Sequence, residues 1–299
     1  EFRRVLFRSL VAQGRARRYG LDVRIVGIGE LSGSVHAQDG LDPAAAADHF
    51  EASGSLAGFP GFMGDWQGIQ LIEQAGADVL IECTPTDIET AEPALTHVRE
   101  ALTRGLHVVS ANKGPFIRRY AELRDQAAAA DLQLKLSAAA AAALPTLDVA
   151  GYSLAGTEIT KVEGVLNGTT NFILSAMQAD NTSYVQALAE AQRLGIAETD
   201  PTLDVEGFDT TNKLALIANV AMDAGLEPSD IGRQGITQVT VADVEEARAA
   251  GQVLRLVGSA ERTEAGGVQA RVGVEALAHG HPLAGVDGAE KGVTYTTDT

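Results

Sequence analysis

Ala77-Asp78-Val79-Leu80-Ile81-Glu82-Cys83-Thr84-Pro85-Thr86-Asp87 is a short apolar run stopped by a proline. Runs of this length and composition read as buried strands. Residues 91–104 read as a helix closed by Gly105, and Leu106-His107-Val108-Val109-Ser110 as the next strand. Residues 116–130 give another helix, and Leu132-Gln133-Leu134-Lys135-Leu136 another strand. Strand–helix alternation with short connections predicts a parallel sheet with right-handed crossovers. Ligands of such sheets sit beyond the carboxyl ends of the strands. Glu30, residues 84–86 and Asn112-Lys113 all fall at such ends.

Upstream, residues 10–19 have helical composition and end at Gly20, a natural helix stop. Residues 21–28 read as a buried strand, followed by Gly29-Glu30. Helix, parallel strand and terminal acid form the second half of a mononucleotide-binding unit, in which the acid binds ribose hydroxyls. The first half, a strand and a G-x-G-x-x-G turn, is not found upstream. Gly27-Ile28-Gly29 is no substitute, because it lies at the end of the strand. On this signal alone Glu30 is more simply a solvated turn acid. Arg3, Arg4, Arg8, Arg15, Arg17 and Arg18 crowd the amino terminus against one acid, Glu1. Residues 1–9 are expected to be foreign or mis-called, with a targeting signal or a basic helix as the alternatives. Asp42-Pro43 marks a helix start, with Asp42 as cap. Residues 54–64 form a glycine-rich stretch read as a surface loop, with a mobile lid as the sharper alternative.

After about residue 147 the pattern changes. Residues 158–166 alternate as a strand, and 171–180, 183–194, 209–224 and 243–250 read as helices. Residues 253–260 and 268–277 read as antiparallel strands joined by a polar turn at 264–267. The expected organisation is an incomplete dinucleotide-binding α/β domain over 10–147, to which 290–299 return, and an α+β substrate and dimerisation domain over 148–289.

The second domain holds the densest chemistry. Asp209 and Lys213 stand four residues apart at the start of an amphipathic helix, so both project from one face. An isolated pair of this kind is usually an exposed ion pair worth a few tenths of a kcal/mol. Here Leu214, Leu216 and Ile217 follow directly, so Lys213 adjoins the buried face. A partly desolvated lysine with a paired acid is a plausible proton donor. Pro201 and Gly207 force turns that are expected to fold Glu198, Asp204 and Asp209 towards one another. An acid-lined pocket with one lysine suits a small zwitterion with a free amine. Asn167-Gly168-Thr169-Thr170-Asn171 is a strand-to-helix turn. Plain capping explains it, and so does a carboxylate or amide held by its backbone N–H groups and the Thr169 hydroxyl.

The totals limit the classes. With 299 residues and 45% hydrophobic content, the chain can bury a full core. No apolar run reaches the roughly 18 residues of a membrane span. A formal charge of −17 argues against nucleic acid, which needs clustered Lys and Arg. The single cysteine, Cys83, excludes an internal disulfide and a cysteine zinc cluster, and fits a reducing cytoplasm.

These residues resemble homoserine dehydrogenases. The resemblance rests on Leu166-Asn167-Gly168-Thr169-Thr170-Asn171-Phe172-Ile173-Leu174, Ala197-Glu198-Thr199-Asp200-Pro201, and Leu203-Asp204-Val205-Glu206-Gly207-Phe208-Asp209 with Lys213. Ser110-Ala111-Asn112-Lys113-Gly114-Pro115 resembles the family's cofactor-domain lysine motif, and His281-Pro282-Leu283-Ala284 a segment near its carboxyl end. The resemblance spans about residues 10–299. It implies a Rossmann-like domain and reduction of L-aspartate 4-semialdehyde to L-homoserine by NADH or NADPH, within threonine and methionine biosynthesis. It implies that Glu198, Asp204 and Asp209 bind the amine and hydroxyl side of the substrate, and Thr169 its carboxylate end. Lys213 becomes the acid/base, with Lys113 as second catalytic lysine. Thr84, Pro85, Asn112 and Gly168 join Glu30 on the cofactor, with Glu30 at the ribose. Ser32 stands where an arginine would favour a 2′-phosphate, which leans towards NAD. A cytoplasmic homodimer is implied.

Three departures stand beside the resemblance. The phosphate turn has no counterpart upstream, and the family's last glycine-rich turn and helix have none after Thr299, so a fragment is expected. Some members hold a monovalent cation on backbone carbonyls where this chain has Ser137-Ala138-Ala139-Ala140-Ala141-Ala142-Ala143-Leu144-Pro145. Loss of the glycines there removes easy access to positive φ, so a helix turn is expected and no metal site. Two alternatives stay open: a binding or interaction module without turnover, and a dehydrogenase of another amino-acid semialdehyde.

Overall fold

The alternating strands and helices sort into two units. The computed structural model describes Gly20, residues 22–142 and residues 144–299. The helix expected over 10–19 and the reading of residues 1–9 lie outside the described residues.

The first unit comprises the described residues up to Pro115 together with Glu122–Lys135. Its elements are β1 (Gly27–Glu30), β2 (Gly33–His36), α1 (Pro43–Ser53), β3 (Phe62–Met63) and α2 (Gly68–Gln74). There follow β4 (Val79–Glu82), α3 (Ala94–Thr103), β5 (His107–Ser110), α4 (Gly114–Ala129) and β6 (Leu134–Lys135). Strands β4, β5 and β6 form the expected parallel sheet, with Leu80 beside Val108 and Val108 beside Leu134. Helix α3 packs on β4 and β5 and buries Ala94, Leu95, Val98, Ala101 and Leu102. The other face of that sheet is less covered than an apolar run suggests. Val79, Ile81 and Val109 remain 44%, 40% and 37% exposed. Helix α4 crosses the division: its residues 116–121 group with the second unit, and Arg119 leaves helical geometry at φ −143° and ψ 33°.

The strand expected over 21–28 is corrected. Pairing starts only at Gly27, and β1 runs antiparallel to β2 in a separate sheet of order β1-β2-β3. The carbonyls of Ile25 and Val26 accept instead from Leu41 and Ala37 N–H, at 2.7 and 3.0 Å. These apolar residues are thus held by the turn that precedes α1. The 54–64 stretch supplies β3, which pairs with β2. Helix α1 starts as the sequence requires: Asp42 accepts from Ala44 and Ala45 N–H at 2.9 and 3.2 Å, and Gly54 ends it at φ 76°.

The second unit holds α5 (Ser137–Ala141), α6 (Thr146–Asp148), β7 (Ile159–Val165), α7 (Gly168–Asp180), α8 (Tyr184–Arg193) and α9 (Thr202–Val205). It continues with α10 (Phe208–Met222), β8 (Gly232–Arg233), α11 (Val241–Ala249), β9 (Gln252–Arg262), β10 (Val268–Ala278) and β11 (Gly292–Thr297). The five strands take the order β11-β7-β9-β10-β8. All neighbours are antiparallel except β10 and β8. Helix α10 packs on β7, β9 and β10, and its Leu214, Ala215, Leu216, Ile217 and Ala218 are all fully buried. Residues 290–299, expected with the first unit, group with the second: β11 pairs with β7, Gly292 opposite Val165. Ala142, after α5, adopts φ 57° and ψ −112° although it carries a Cβ.

Candidate active site

The turn between β7 and α7 carries the site in the second unit. Asn167 is the cap of α7 and is 5% exposed. Its side-chain oxygen accepts from Thr170 N–H at 2.9 Å. Its amide nitrogen donates to Asp204 Oδ1 at 2.7 Å and to Asp209 Oδ2 at 2.9 Å. One residue therefore ties the helix start to two acids from α9 and α10. Without that bridging amide, two half-buried carboxylates drawn to one point would repel. Gly207, at φ 81°, turns the chain between them.

Lys213 completes the cluster. Its Nζ lies 2.6 Å from Asp209 Oδ2, and both side chains are 15% exposed. Nζ also donates to the Leu166 carbonyl at 3.0 Å. An ammonium has three donors, so two are used and one is left among the described residues. Thr169 is buried, and its hydroxyl donates to the Ile196 carbonyl at 3.2 Å. Gly168 opens α7 beside the 286–291 segment: a Cβ there would lie 2.7 Å from the Ala289 carbonyl oxygen. Glu198 does not join these groups. It is exposed, and it contributes only its backbone carbonyl, which accepts from Gln192 Nε2 at 3.1 Å.

In the first unit the strand ends carry a second set. Glu30, at the end of β1, accepts from Ser32 N–H at 2.9 Å, Leu56 N–H at 3.0 Å, Ser55 Oγ at 3.1 Å and the Ser32 hydroxyl. Burial pushes its carboxyl up, but these donors outweigh it and lower the pKa to about 2. Glu30 is thus ionised at neutral pH, and among the described residues Oε2 carries a single donor. At the ends of β4 and β5, the buried Asn112 donates through Nδ2 to the Thr84 and Pro85 carbonyls, at 3.1 and 3.3 Å. Its Oδ1 accepts from Gly114 N–H at 2.9 Å, which fixes the backbone around the half-buried Lys113. Glu82, unmarked by any sequence signal, accepts from Thr84 N–H at 3.0 Å and faces His97 Nδ1 at 3.8 Å. Its carboxyl is raised by burial and lowered more strongly by His97 and Thr84.

The model of the homoserine dehydrogenase family matches residues 145–299, and that of the homoserine dehydrogenase NAD-binding domain residues 9–136. The chain belongs to the homoserine dehydrogenase family. It is 38% identical over 280 residues to the NAD(+)-dependent homoserine dehydrogenase of Pseudomonas canavaninivorans, covering 93% of this chain and 79% of that one. A crystal structure assigned as a homoserine dehydrogenase from Archaeoglobus fulgidus superposes with a TM-score of 0.86 at 29% identity, over 98% of this chain and 86% of that one. A hyperthermophilic archaeal homoserine dehydrogenase in complex with NADPH gives 0.81 at 25% identity, over 98% and 84%. Homoserine dehydrogenases are NAD(P)-dependent oxidoreductases with a Rossmann-type domain and a catalytic domain, and the parallel and mixed sheets described above are those of this fold. The matches do not favour a module without turnover or a dehydrogenase of another semialdehyde. Among the described residues, no helix is long and apolar enough to cross a membrane.

Proposed function

We propose that the chain interconverts L-homoserine and L-aspartate 4-semialdehyde, with the first unit serving the dinucleotide and the second the substrate. One observation carries the role of the second unit. Lys213 is held by Asp209 and the Leu166 carbonyl with one N–H left over, beside a second carboxylate bridged by Asn167.

The nicotinamide supplies a hydride to the aldehyde carbon when the dinucleotide is bound. The residues at the strand ends fit such a ligand. Glu30 is ionised and has acceptor capacity for ribose hydroxyls, while Thr84 and Pro85, fixed by Asn112, offer a rigid rim. An anion at Glu30, with Ser32 rather than a cation nearby, opposes a 2′-phosphate and favours NAD over NADP. In the substrate unit, charge growing on the aldehyde oxygen meets the third donor of Lys213, which stabilises it and gives up a proton to it. Asp209 and the Leu166 carbonyl fix the direction of that donor. Asp204 and Asp209 take the substrate amine, and the role expected for Glu198 rests on the family resemblance alone. Thr169 and the first N–H groups of α7 meet its carboxylate. Lys113 is the second lysine of the reaction, and Gly168 lets the α7 turn approach its ligand; both roles are carried by the family resemblance. The same resemblance supports a cytoplasmic homodimer, which light scattering of the purified chain checks.

Lys213→Met tests the reading, because it keeps the aliphatic stem and removes the proton. It lowers kcat by about a hundred- to ten-thousand-fold, the usual worth of a positioned acid/base, and leaves homoserine binding in place. A variant that turns over at the wild-type rate removes Lys213 from the mechanism.

A further inference from the structure

Lys291 was singled out by no motif. It immediately precedes β11, whose first residue, Gly292, stands opposite Val165, the chain neighbour of Leu166. Leu166 is the residue whose carbonyl accepts from Lys213 Nζ. The segment before it is fastened to the same turn. Asn171 Nδ2 donates to the Val286 and Glu290 carbonyls at 3.2 Å, Gly288 N–H donates to Ser175 Oγ at 3.2 Å, and the Ala289 carbonyl abuts Gly168. The backbone on both sides of Lys291 is therefore pinned to β7 and α7.

The side chain is half-buried and has no hydrogen bond or ion pair with any described residue. The charges it does feel are those of Lys213 and Asp209. Burial lowers its pKa, Lys213 lowers it further, and Asp209 opposes both. Asp209 is already engaged with Lys213 at 2.6 Å. A half-buried lysine beside an ammonium whose carboxylate partner is already engaged is an arrangement that lacks an anion. A second feature at the same place has the same need. Helix α7 has 13 residues, and Asn167 satisfies only the Thr170 N–H, so the Gly168 and Thr169 N–H groups keep their preference for negative charge.

We propose that Lys291 binds the α-carboxylate of the amino-acid substrate, together with the Gly168 and Thr169 N–H groups, opposite the Asp204–Asp209 pair that takes its amine. The inference rests on the homoserine reading and adds to it the residue that selects an amino acid over a plain amino alcohol. Lys291 moves no proton in the reaction. It contributes binding energy and the orientation of the carbon chain towards Lys213.

Binding of two ligands tests it without turnover: L-homoserine, and 3-aminopropan-1-ol, which is homoserine without its carboxylate. Titration calorimetry is run on the full chain and on Lys291→Met and Lys291→Arg. A charge-assisted hydrogen bond is worth about ten- to a hundredfold in affinity. Lys291→Met therefore weakens homoserine by at least about tenfold and leaves 3-aminopropan-1-ol unchanged, and Lys291→Arg recovers most of the loss. Without ligand, Lys291→Met melts no lower than the wild type, because the uncompensated charge is gone. Equal losses for the two ligands, or none for homoserine, overturn the proposal. If the wild type binds neither ligand, the homoserine reading falls and the proposal falls with it. Wild-type binding with an indifferent Lys291→Met removes the Lys291 role alone.

Discussion

The residue that organises the substrate cluster is Asn167, which uses its oxygen for a helix cap and its nitrogen for two acids. Asn167→Ala removes the cap and leaves Asp204 and Asp209 facing each other, so we expect a loss of about 2–3 kcal/mol, measured by denaturant unfolding. Asn167→Asp adds a third carboxylate and lowers the melting temperature more at pH 7 than at pH 4. An equal effect at the two pH values would contradict this arrangement. The contrast between Asn167 and Lys213 shows what a sequence exposes. Asp209 and Lys213 are readable because helical spacing alone puts them on one face. Asn167 meets Asp204 and Asp209 across 37 and 42 positions, and the placement of Lys291 depends on the strand pairing of β11, so neither has a local signal. The Glu198 expectation concerned a loop, where no periodicity fixes direction. The side chain is exposed and outside the Asn167 network.

Among the elements, caps and stops were the most legible features, because they are local chemistry. Asp42 and Gly105 both stand at helix ends. The strand expected over 21–28 failed because apolar content reports burial, whereas a strand also needs a hydrogen-bonding partner. Ile25 and Val26 find theirs in the 37–41 turn. The 137–145 run reads as a helix turn, which it forms up to Ala141, but composition gives no hint of the positive φ at Ala142. That conformation is open to glycine and strained for alanine, so Ala142→Gly is expected to stabilise the chain by about 1 kcal/mol, read as a higher urea midpoint. A lower midpoint would mean that Ala142 is not strained. The β1–β2 turn allows a pH prediction. The folded-state pKa of Glu30 lies near 2, below the ordinary value of 4.5, so folding favours its ionised form. Its contribution is complete above about pH 4.5 and is lost as pH falls through about 2. Glu30→Gln therefore flattens the acid limb of the stability curve in that window and leaves the curve above pH 5 parallel to wild type. The same substitution narrows the preference for NAD over NADP, measured as the ratio of kcat/KM values. An unchanged ratio would remove Glu30 from the ribose site.

For the whole molecule, the end of strand–helix alternation suggests a change near residue 147, whereas the described residues group into two units that part between Lys135 and Leu136, apart from 116–121. The placement of the last strand has no such signal. Residues 292–297 could pair with any open strand edge, and only the finished sheet shows that β7 offers it. The account assigns the dinucleotide to one unit and the amino acid to the other within a single working chain. The most direct test is oxidation of L-homoserine by the full chain, with NAD or NADP as acceptor and both reduced nucleotide and semialdehyde quantified. The account predicts one equivalent of each per turnover, faster with NAD, and abolished in Lys213→Met. Thermal stabilisation by L-homoserine without any reduced nucleotide, from either acceptor, would contradict it and leave a binding protein in its place.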